Sequence, residues 1–160
     1  MYIDRKNRYI AVPWSGAGGN IAILSLNKPI RVPDTPGLIE CGSNQLDMDF
    51  HPFNDDIIVT GLENAKIKIW QIPENLISQK QNFRTESASL SGHYSKVTLT
   101  QFNPVASNVL ASASYDFTIK SYFASFFSSL FFFLIVFFSN TDSGILKKHL
   151  LFKQSLIQMI

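Results

Sequence analysis

An internal repeat limits the fold of this chain more than any other feature of its sequence. Residues 50–70 read FHPFNDDIIVTGLENAKIKIW, and residues 102–122 read FNPVASNVLASASYDFTIKSY. The two segments, 52 positions apart, share an initial phenylalanine, a proline, an apolar run and an Ile-Lys pair at matching places. A repeat of this length is typical of folds that stack copies of one small structural unit.

Each repeat has the pattern of short antiparallel strands. An apolar run leads into a polar turn, which contains Asn64 in the first repeat and Asp116 in the second, and alternating apolar and polar residues follow. Asn and Asp favour such turns because their side chains bond to the backbone two residues further on. Another alternating run precedes each unit, at residues 46–50 and 97–102. Because no helical period of useful length accompanies these runs, we expect an all-β fold.

The spacing of the repeats indicates a propeller. Propeller blades repeat every ~40–45 residues, and the polar stretch at residues 73–92 explains the greater spacing here as an extended loop between blades. Ahead of the repeats, residues 8–27 contain two short apolar runs around the Gly-rich segment SGAGGN, which predicts a hairpin. The sequence therefore predicts a partial WD-repeat β-propeller composed of one hairpin and about two blades.

Composition excludes several classes of function. The formal net charge is only +2 and no basic run exceeds two residues, so we expect no nucleic-acid partner. Cys41 is the single cysteine, which rules out an internal disulfide, and neither His51 nor His149 has neighbours at metal-ligand spacing. SGAGGN lacks the Lys-Ser/Thr pair and the helix of a phosphate loop. We therefore predict no metal site and no cofactor.

His93, Ser112 and Asp116 are the residue types of a hydrolase triad, but a structural role accounts for them better. A catalytic serine is typically held on a strained elbow such as G-x-S-x-G, and this sequence has none. In WD-repeat blades, a Gly-His pair opens the blade, a Ser or Thr lies on the second strand, and an Asp occupies the following turn. Such a network satisfies all of its buried polar groups together. We therefore predict no catalytic residues and no enzymatic activity.

The same pattern extends to the first repeat. A tryptophan on the third strand completes the WD network, and Trp70 occupies that place, with Thr60 and Asn64 at the Ser and Asp places. The first repeat lacks the Gly-His pair, whereas the second has Tyr122 where the tryptophan is expected. The predicted structural network consists of the following residues: His93, Ser112, Asp116, Trp70 and Asn64.

The composition changes abruptly near residue 120. Residues 121–141 contain no charge and are rich in Phe, Ser and Leu, and their length matches the roughly 20 residues that span a bilayer as a helix. Two interpretations remain open: a membrane-spanning anchor, or a tail translated from a pyrimidine-rich intron in an aberrant gene model. We divide the chain into three parts: a partial propeller at residues 1–120, an apolar and potentially helical segment at residues 121–141, and a C-terminal tail at residues 142–160.

Residues 8–120 resemble the start of a coronin. The segments that carry the resemblance are YIAVPWSGAGGNIAILSL, RVPDTPGLIECG, HPFNDDIIVTGLENAKIKIWQIPE, LSGHYSKV and FNPVASNVLASASYDFTIK. The Trp-Gln-Ile-Pro of LENAKIKIWQIPE is more specific than a generic WD repeat. RVPDTP and ASASYDFTIK are most similar to the long coronins, which carry two propellers in tandem. Compared with that family, the chain is expected to be an N-terminal fragment.

The resemblance implies a seven-bladed propeller without enzymatic activity, which binds actin filaments or actin-associated proteins. It also implies a cytoplasmic, cytoskeleton-associated location and, for the long subtype, a role in Golgi-linked membrane traffic. The alternative is a membrane-anchored WD-repeat fragment that reaches the membrane through residues 121–141.

Overall fold

Antiparallel β-sheet accounts for nearly all of the regular structure in the computed structural model. The structure describes residues 4–5, 8–26, 36–73, 76, 82–107, 109–124 and 131–137. Within these ranges, twelve strands form three sheets of four strands each, and the strands of each sheet lie in chain order. The predicted all-β fold is confirmed.

Each sheet is one blade of the predicted propeller. The first blade contains β1 (Asp4–Arg5), β2 (Tyr9–Trp14), β3 (Asn20–Ser25) and β4 (Leu38–Glu40). The second blade contains β5 (Gln45–Phe50), β6 (Ile57–Leu62), β7 (Lys66–Gln71) and β8 (Ala88–Ser91). The third blade contains β9 (Val97–Phe102), β10 (Val109–Ser114), β11 (Thr118–Ala124) and β12 (Phe131–Phe137).

The two sequence repeats occupy equivalent places in the second and third blades. Ile58 of β6 pairs with Trp70 of β7, and Leu110 of β10 pairs with Tyr122 of β11. The strand register thus reproduces the 52-residue offset of the sequence alignment. It places Tyr122 in the position that Trp70 has in the second blade.

The fourth strand of the second blade lies where the sequence predicted only a loop. Ala88–Ser91 forms β8, in which Leu90 is buried against Ile67 of β7 while the two serines beside it are exposed. One buried apolar side chain in a polar stretch is too little for a pattern of alternation. Pairing with the open edge of β7, rather than local propensity, makes this segment a strand.

The first unit is a complete blade rather than a hairpin. The predicted hairpin is present as β2 and β3, joined through the Gly-rich turn, but β1 and β4 extend it on both sides. These outer strands have two and three residues, too few to show a period in the sequence. The turn requires glycine at Gly19, whose φ is +67° and whose added Cβ would collide with the backbone of Ser43.

The apolar C-terminal segment is extended where the structure describes it. β11 continues past Lys120 to Ala124, and Phe131–Phe137 forms β12, which pairs with β11 along its whole length. Aromatic and β-branched residues favour strands, and β11 offers these seven residues an edge to pair with. The helix expected over residues 121–141 stays a prediction. Residues 125–130 and 138–160 lie outside the described part of the chain.

No helix among the residues that the structure describes has the length and apolar character needed to cross a bilayer.

Two apolar clusters lie on either side of the second blade. The cluster between the first and second blades contains Tyr9, Ala11, Ile21, Ile23, Ile39, Cys41, Met48, Phe50, Ile58, Leu62, Trp70, Ile72 and Leu76. The cluster between the second and third blades contains Ile57, Val59, Ile67, Ile69, Leu90, Val97, Phe102, Leu110 and Tyr122. Because alternate residues of a strand face opposite sides of the sheet, β6 and β7 contribute to both clusters.

Replacing Trp70 with alanine is expected to destabilise the chain by ~3–5 kcal/mol, because this fully buried ring fills the cluster between the first and second blades. Urea or thermal unfolding measures the loss. Trp14→Ala is the matched control and should cost clearly less, since Trp14 is only partly buried. Equal losses in the two variants would contradict this packing.

Candidate functional site

The third blade brings together the three residues that resemble a triad. His93 lies between β8 and β9, Ser112 is on β10, and Asp116 is in the turn between β10 and β11. The Nε2 atom of His93 is 2.8 Å from Ser112 Oγ, and its Nδ1 atom is 2.9 Å from Asp116 Oδ2. One imidazole ring therefore links the segment between β8 and β9 to one strand and one turn.

The hydrogen bonds around Asp116 determine which groups donate and which accept throughout the network. Its carboxylate accepts bonds from the amide of Tyr94 at 2.9 Å, the amide of Thr118 at 2.9 Å and the hydroxyl of Thr118 at 2.6 Å. An ionised carboxylate can only accept, so His93 donates through Nδ1–H. Nε2 of His93 then accepts the hydroxyl proton of Ser112.

Burial separates this network from a catalytic triad. Ser112 has no exposed surface, and its hydroxyl lies 2.8 Å from Nε2 of His93 inside the blade. A nucleophilic serine must be within reach of a substrate carbonyl. The Ser112 hydroxyl is enclosed in the blade, so its arrangement suits packing and not acyl transfer.

The protonation states follow from the surroundings. Burial lowers the pKa of His93, and the nearby charge of Lys120 acts in the same direction, while the bond to Asp116 only partly opposes them. For Asp116, burial alone would raise the pKa, but the bonds from Thr118, Tyr94 and His93 together hold it well below its usual range. At neutral pH the pair is thus a neutral imidazole and an ionised carboxylate.

Lys120 ties β11 to the segment that contains His93. Its side chain is buried, its Nζ atom donates to the carbonyl of Gly92, and it lies 5.6 Å from the centre of the Tyr94 ring. Sequence reasoning did not assign Lys120 a role. The signal that could have done so is the Ile-Lys pair that both repeats share.

The second blade contains a related network with different members. Trp70 donates from Nε1 to the Thr60 hydroxyl at 3.0 Å, and Thr60 is also hydrogen-bonded to Cys41. Cys41 lies 52 positions before His93 and occupies the same place relative to the second blade as His93 does relative to the third. Sequence reasoning missed this equivalence because the first repeat has no Gly-His pair. Burial raises the pKa of the Cys41 thiol to about 12, against the smaller opposing effects of Thr60 and Lys68.

The five residues of the predicted WD network lie in the two blades that the two sequence repeats form. His93, Ser112 and Asp116 are in contact in the third blade, whereas Trp70 lies in the second. Asn64 occupies the turn equivalent to that of Asp116, where its side-chain oxygen accepts a bond from the Lys66 amide at 3.3 Å.

Two carboxylates connect the second blade to the third. Asp47 accepts a bond from the Thr100 amide at 2.7 Å, and Asp49 accepts one from the Phe102 amide at 2.8 Å. Both acceptors are on β5 and both donors are on β9, so side chains of one blade occupy backbone donors of the next. Sequence reasoning missed these residues, although two acids at alternate positions in LDMDF were a visible signal.

The described residues offer little to a metal or cofactor. Among them, no three His, Cys, Asp or Glu side chains lie close enough together to hold a metal ion. A cleft of about 430 Å³ is lined by residues of the first and second blades, including Glu40, Lys68 and Arg84. Glu40 pairs with Arg84 at 2.7 Å, and Lys68 lies 3.4 Å from Glu86, so these charges are already compensated.

Asp116→Ala is expected to cost roughly 1–3 kcal/mol of unfolding free energy, because it leaves the Nδ1–H of His93 and the Tyr94 amide without their acceptor. Chemical denaturation of the two proteins gives the difference. Asp55→Ala, in a turn at the opposite end of the strands, serves as the control and should change stability little. A loss no larger than that of the control would argue against the network.

Acidification should destabilise the chain through His93. Its pKa in the folded chain lies below the ordinary value of 6.5, so the unfolded chain binds the proton first and stability falls as the pH drops below 6.5. Asp116, whose folded pKa is also lowered, adds to the loss as the pH falls below 3.8. Denaturation at a series of pH values gives the free energy of unfolding as a function of pH. Between neutral pH and pH 5, its slope should be smaller in His93→Gln than in the natural chain. An unchanged slope would exclude His93 as a source of the pH dependence.

Comparison with known proteins finds relatives of the chain. No protein-family model matches the chain. Coronin-like protein crn1 of Schizosaccharomyces pombe is 40% identical over 115 residues, an alignment that covers 70% of this chain and 19% of that protein. Coronin-7 of Homo sapiens is 36% identical over 112 residues, which cover 69% of this chain and 12% of that protein. The chain thus spans less than a fifth of the length of these relatives.

A solved structure agrees with the sequence relatives. The WD40 domain of Toxoplasma gondii coronin superposes with a TM-score of 0.68 at 33% identity, covering 73% of this chain and 30% of that one. The similarity to the long coronins in particular stays a prediction, because relatives of different lengths match at comparable identity. The predicted resemblance itself is confirmed: the chain is similar to coronins in sequence and in fold.

Proposed function

We propose that this chain acts as a non-enzymatic scaffold that binds actin filaments or actin-associated proteins. The observation that carries the proposal is its similarity to coronins, at 40% identity to a coronin-like protein and with a TM-score of 0.68 to a coronin WD40 domain. A cytoskeleton-associated location follows from the same proposal. A role in Golgi-linked membrane traffic belongs to it if the chain is of the long subtype.

Within this scaffold, we assign a structural role to His93, Ser112, Asp116, Trp70 and Asn64. Support comes from the partners of each residue: every one of them bonds to groups of its own blade or the adjoining turns. Removing one partner from such a network leaves another buried polar group unsatisfied, which is costly. The network therefore holds the blade in shape so that its surface can bind.

The binding surface that we propose surrounds the His93–Asp116 pair. Tyr94, Tyr115 and Phe117 are 93%, 50% and 71% exposed, and they lie on the two segments that the pair joins. Phe117 also has a φ of 62°, a conformation that is unfavourable for a bulky residue. Exposed aromatic residues held together by a hydrogen-bonded pair are suited to contact a partner, because aromatic side chains dominate binding energy at protein interfaces.

The membrane-anchored alternative rests on residues 121–141, of which residues 125–130 and 138–141 lie outside the described part of the chain. It stays untested. The scaffold, which the similarity to coronins supports, is the function that we propose.

Co-sedimentation of the whole chain with actin filaments tests the function. We expect saturable binding, weaker than that of a full-length coronin measured in parallel, because the chain presents fewer blades to the filament. Pelleting without actin, measured at each concentration, corrects for aggregation. Recovery in the pellet that does not saturate, or that is equal with and without filaments, would refute the function.

Two substitutions test the surface independently of the function. Tyr94→Ala should weaken binding about tenfold or more if this ring is an anchor of the interface. Phe53→Ala is the control, since Phe53 is 60% exposed but lies in the turn between β5 and β6, at the opposite end of the strands. If the chain binds filaments and the two variants bind equally well, the surface is wrongly placed while the function stands.

A further inference from the structure

His51, which follows β5, makes hydrogen bonds that only a neutral ring can make. The side chain is buried, and its Nδ1 atom accepts bonds from the amides of Phe53 at 3.2 Å and Asn54 at 3.0 Å. Two N–H donors on one ring nitrogen require that this nitrogen carry no hydrogen. The ring proton is therefore on Nε2, which donates to the Ser107 carbonyl at 2.7 Å. His51 thus stabilises its own turn and reaches into the third blade.

The chain contains the same turn without a titratable side chain. Asn103, 52 positions further on, follows β9 as His51 follows β5. Its Oδ1 atom accepts bonds from the amides of Val105 at 2.8 Å and Ala106 at 3.0 Å, the same pattern one blade later. An amide oxygen keeps its lone pairs at any physiological pH, whereas an imidazole nitrogen does not.

We propose that His51 is a proton-sensitive latch between the second and third blades. A proton added to Nδ1 would point at two backbone N–H groups, so both bonds of the turn would be lost at once. The ring also packs against Phe102 of β9, with 4.9 Å between ring centres, so opening of the turn disturbs the junction itself. The equivalent turn at Asn103 has no such response.

The charged groups near His51 come from few elements. Asp49 lies on its own strand and is bonded to the Phe102 amide, while Asp55 and Asp56 lie in its own turn. Arg8 of the first blade pairs with Asp56 at 3.3 Å. On the third blade, residues 97–107 contain no ionisable side chain. The two amide bonds set the direction of the response, because they require that Nδ1 of His51 carry no hydrogen.

The ring tautomer is the first test and needs no substitution. Long-range ¹H–¹⁵N correlation spectra of the whole chain, labelled with ¹⁵N-histidine and assigned with His51→Asn, report which nitrogen carries the proton. At about pH 7.5, we expect the Nε2–H form. Finding the Nδ1–H form, or a charged ring at this pH, would overturn the proposal.

Amide exchange is the second test and has a control inside the same molecule. Between about pH 7.5 and pH 5.5, the protection of the Phe53 and Asn54 amides, corrected for intrinsic rates, should fall about tenfold. The Val105 and Ala106 amides, bonded to Asn103, should keep theirs. Equal losses in the two turns would show general unfolding, including that caused by His93, and would contradict a local latch.

The variant His51→Asn copies the turn that the chain already contains. It should keep the protection of the Phe53 and Asn54 amides at both pH values, because Asn can accept both bonds without titrating. A pH response in the variant equal to that of the natural chain would show that His51 does not act as the latch.

Discussion

All six residues of β6, from Ile57 to Leu62, are buried, because this strand lies in a sheet that is covered on both faces. The first blade covers one face and the third covers the other, and each junction has its own apolar cluster. The second and third blades approach each other so closely that a Cβ added at Gly61 would lie 3.0 Å from the Thr100 side chain. A strand in this position has no solvent-facing side, so its polar atoms need partners inside the protein.

The polar networks of the second and third blades supply such partners with different residues. Thr60 is buried in the second blade and bonds to Trp70 and Cys41, while Ser112 in the third blade bonds to His93. A hydroxyl at the same place on the second strand is constant, but its partners differ in chemistry. What is maintained is the satisfaction of a buried hydroxyl and not a particular set of reactive groups, which is why a triad of suitable residue types forms here without a catalytic site.

The repeat made much of this structure predictable. Once residues 50–70 were aligned with residues 102–122, the strand order, the turn at Asp116 and the equivalence of Trp70 and Tyr122 followed from the sequence. These features depend on local patterns that occur twice. A pattern found twice at one spacing is much harder to produce by chance than either copy alone.

Features that depend on tertiary contacts, and not on local sequence patterns, were not predictable in the same way. β8 is a strand because β7 lies beside it, and Asp47 reaches a backbone donor that is 53 residues away. Phe131–Phe137 forms β12 for the same reason, since β11 offers it a partner. Cys41 was overlooked because a cysteine does not look like a substitute for histidine until the fold places both at one site.

The reactivity of the Cys41 thiol reports whether the first and second blades have separated. As the single cysteine of the chain, with no exposed surface and with a pKa raised by burial to about 12, it is held as an inert thiol while the first and second blades remain together. Oxidants and alkylating reagents can then mark only molecules in which that junction has opened. A disulfide-linked pair of these chains would therefore be a trace of past unfolding, not a form of the native protein.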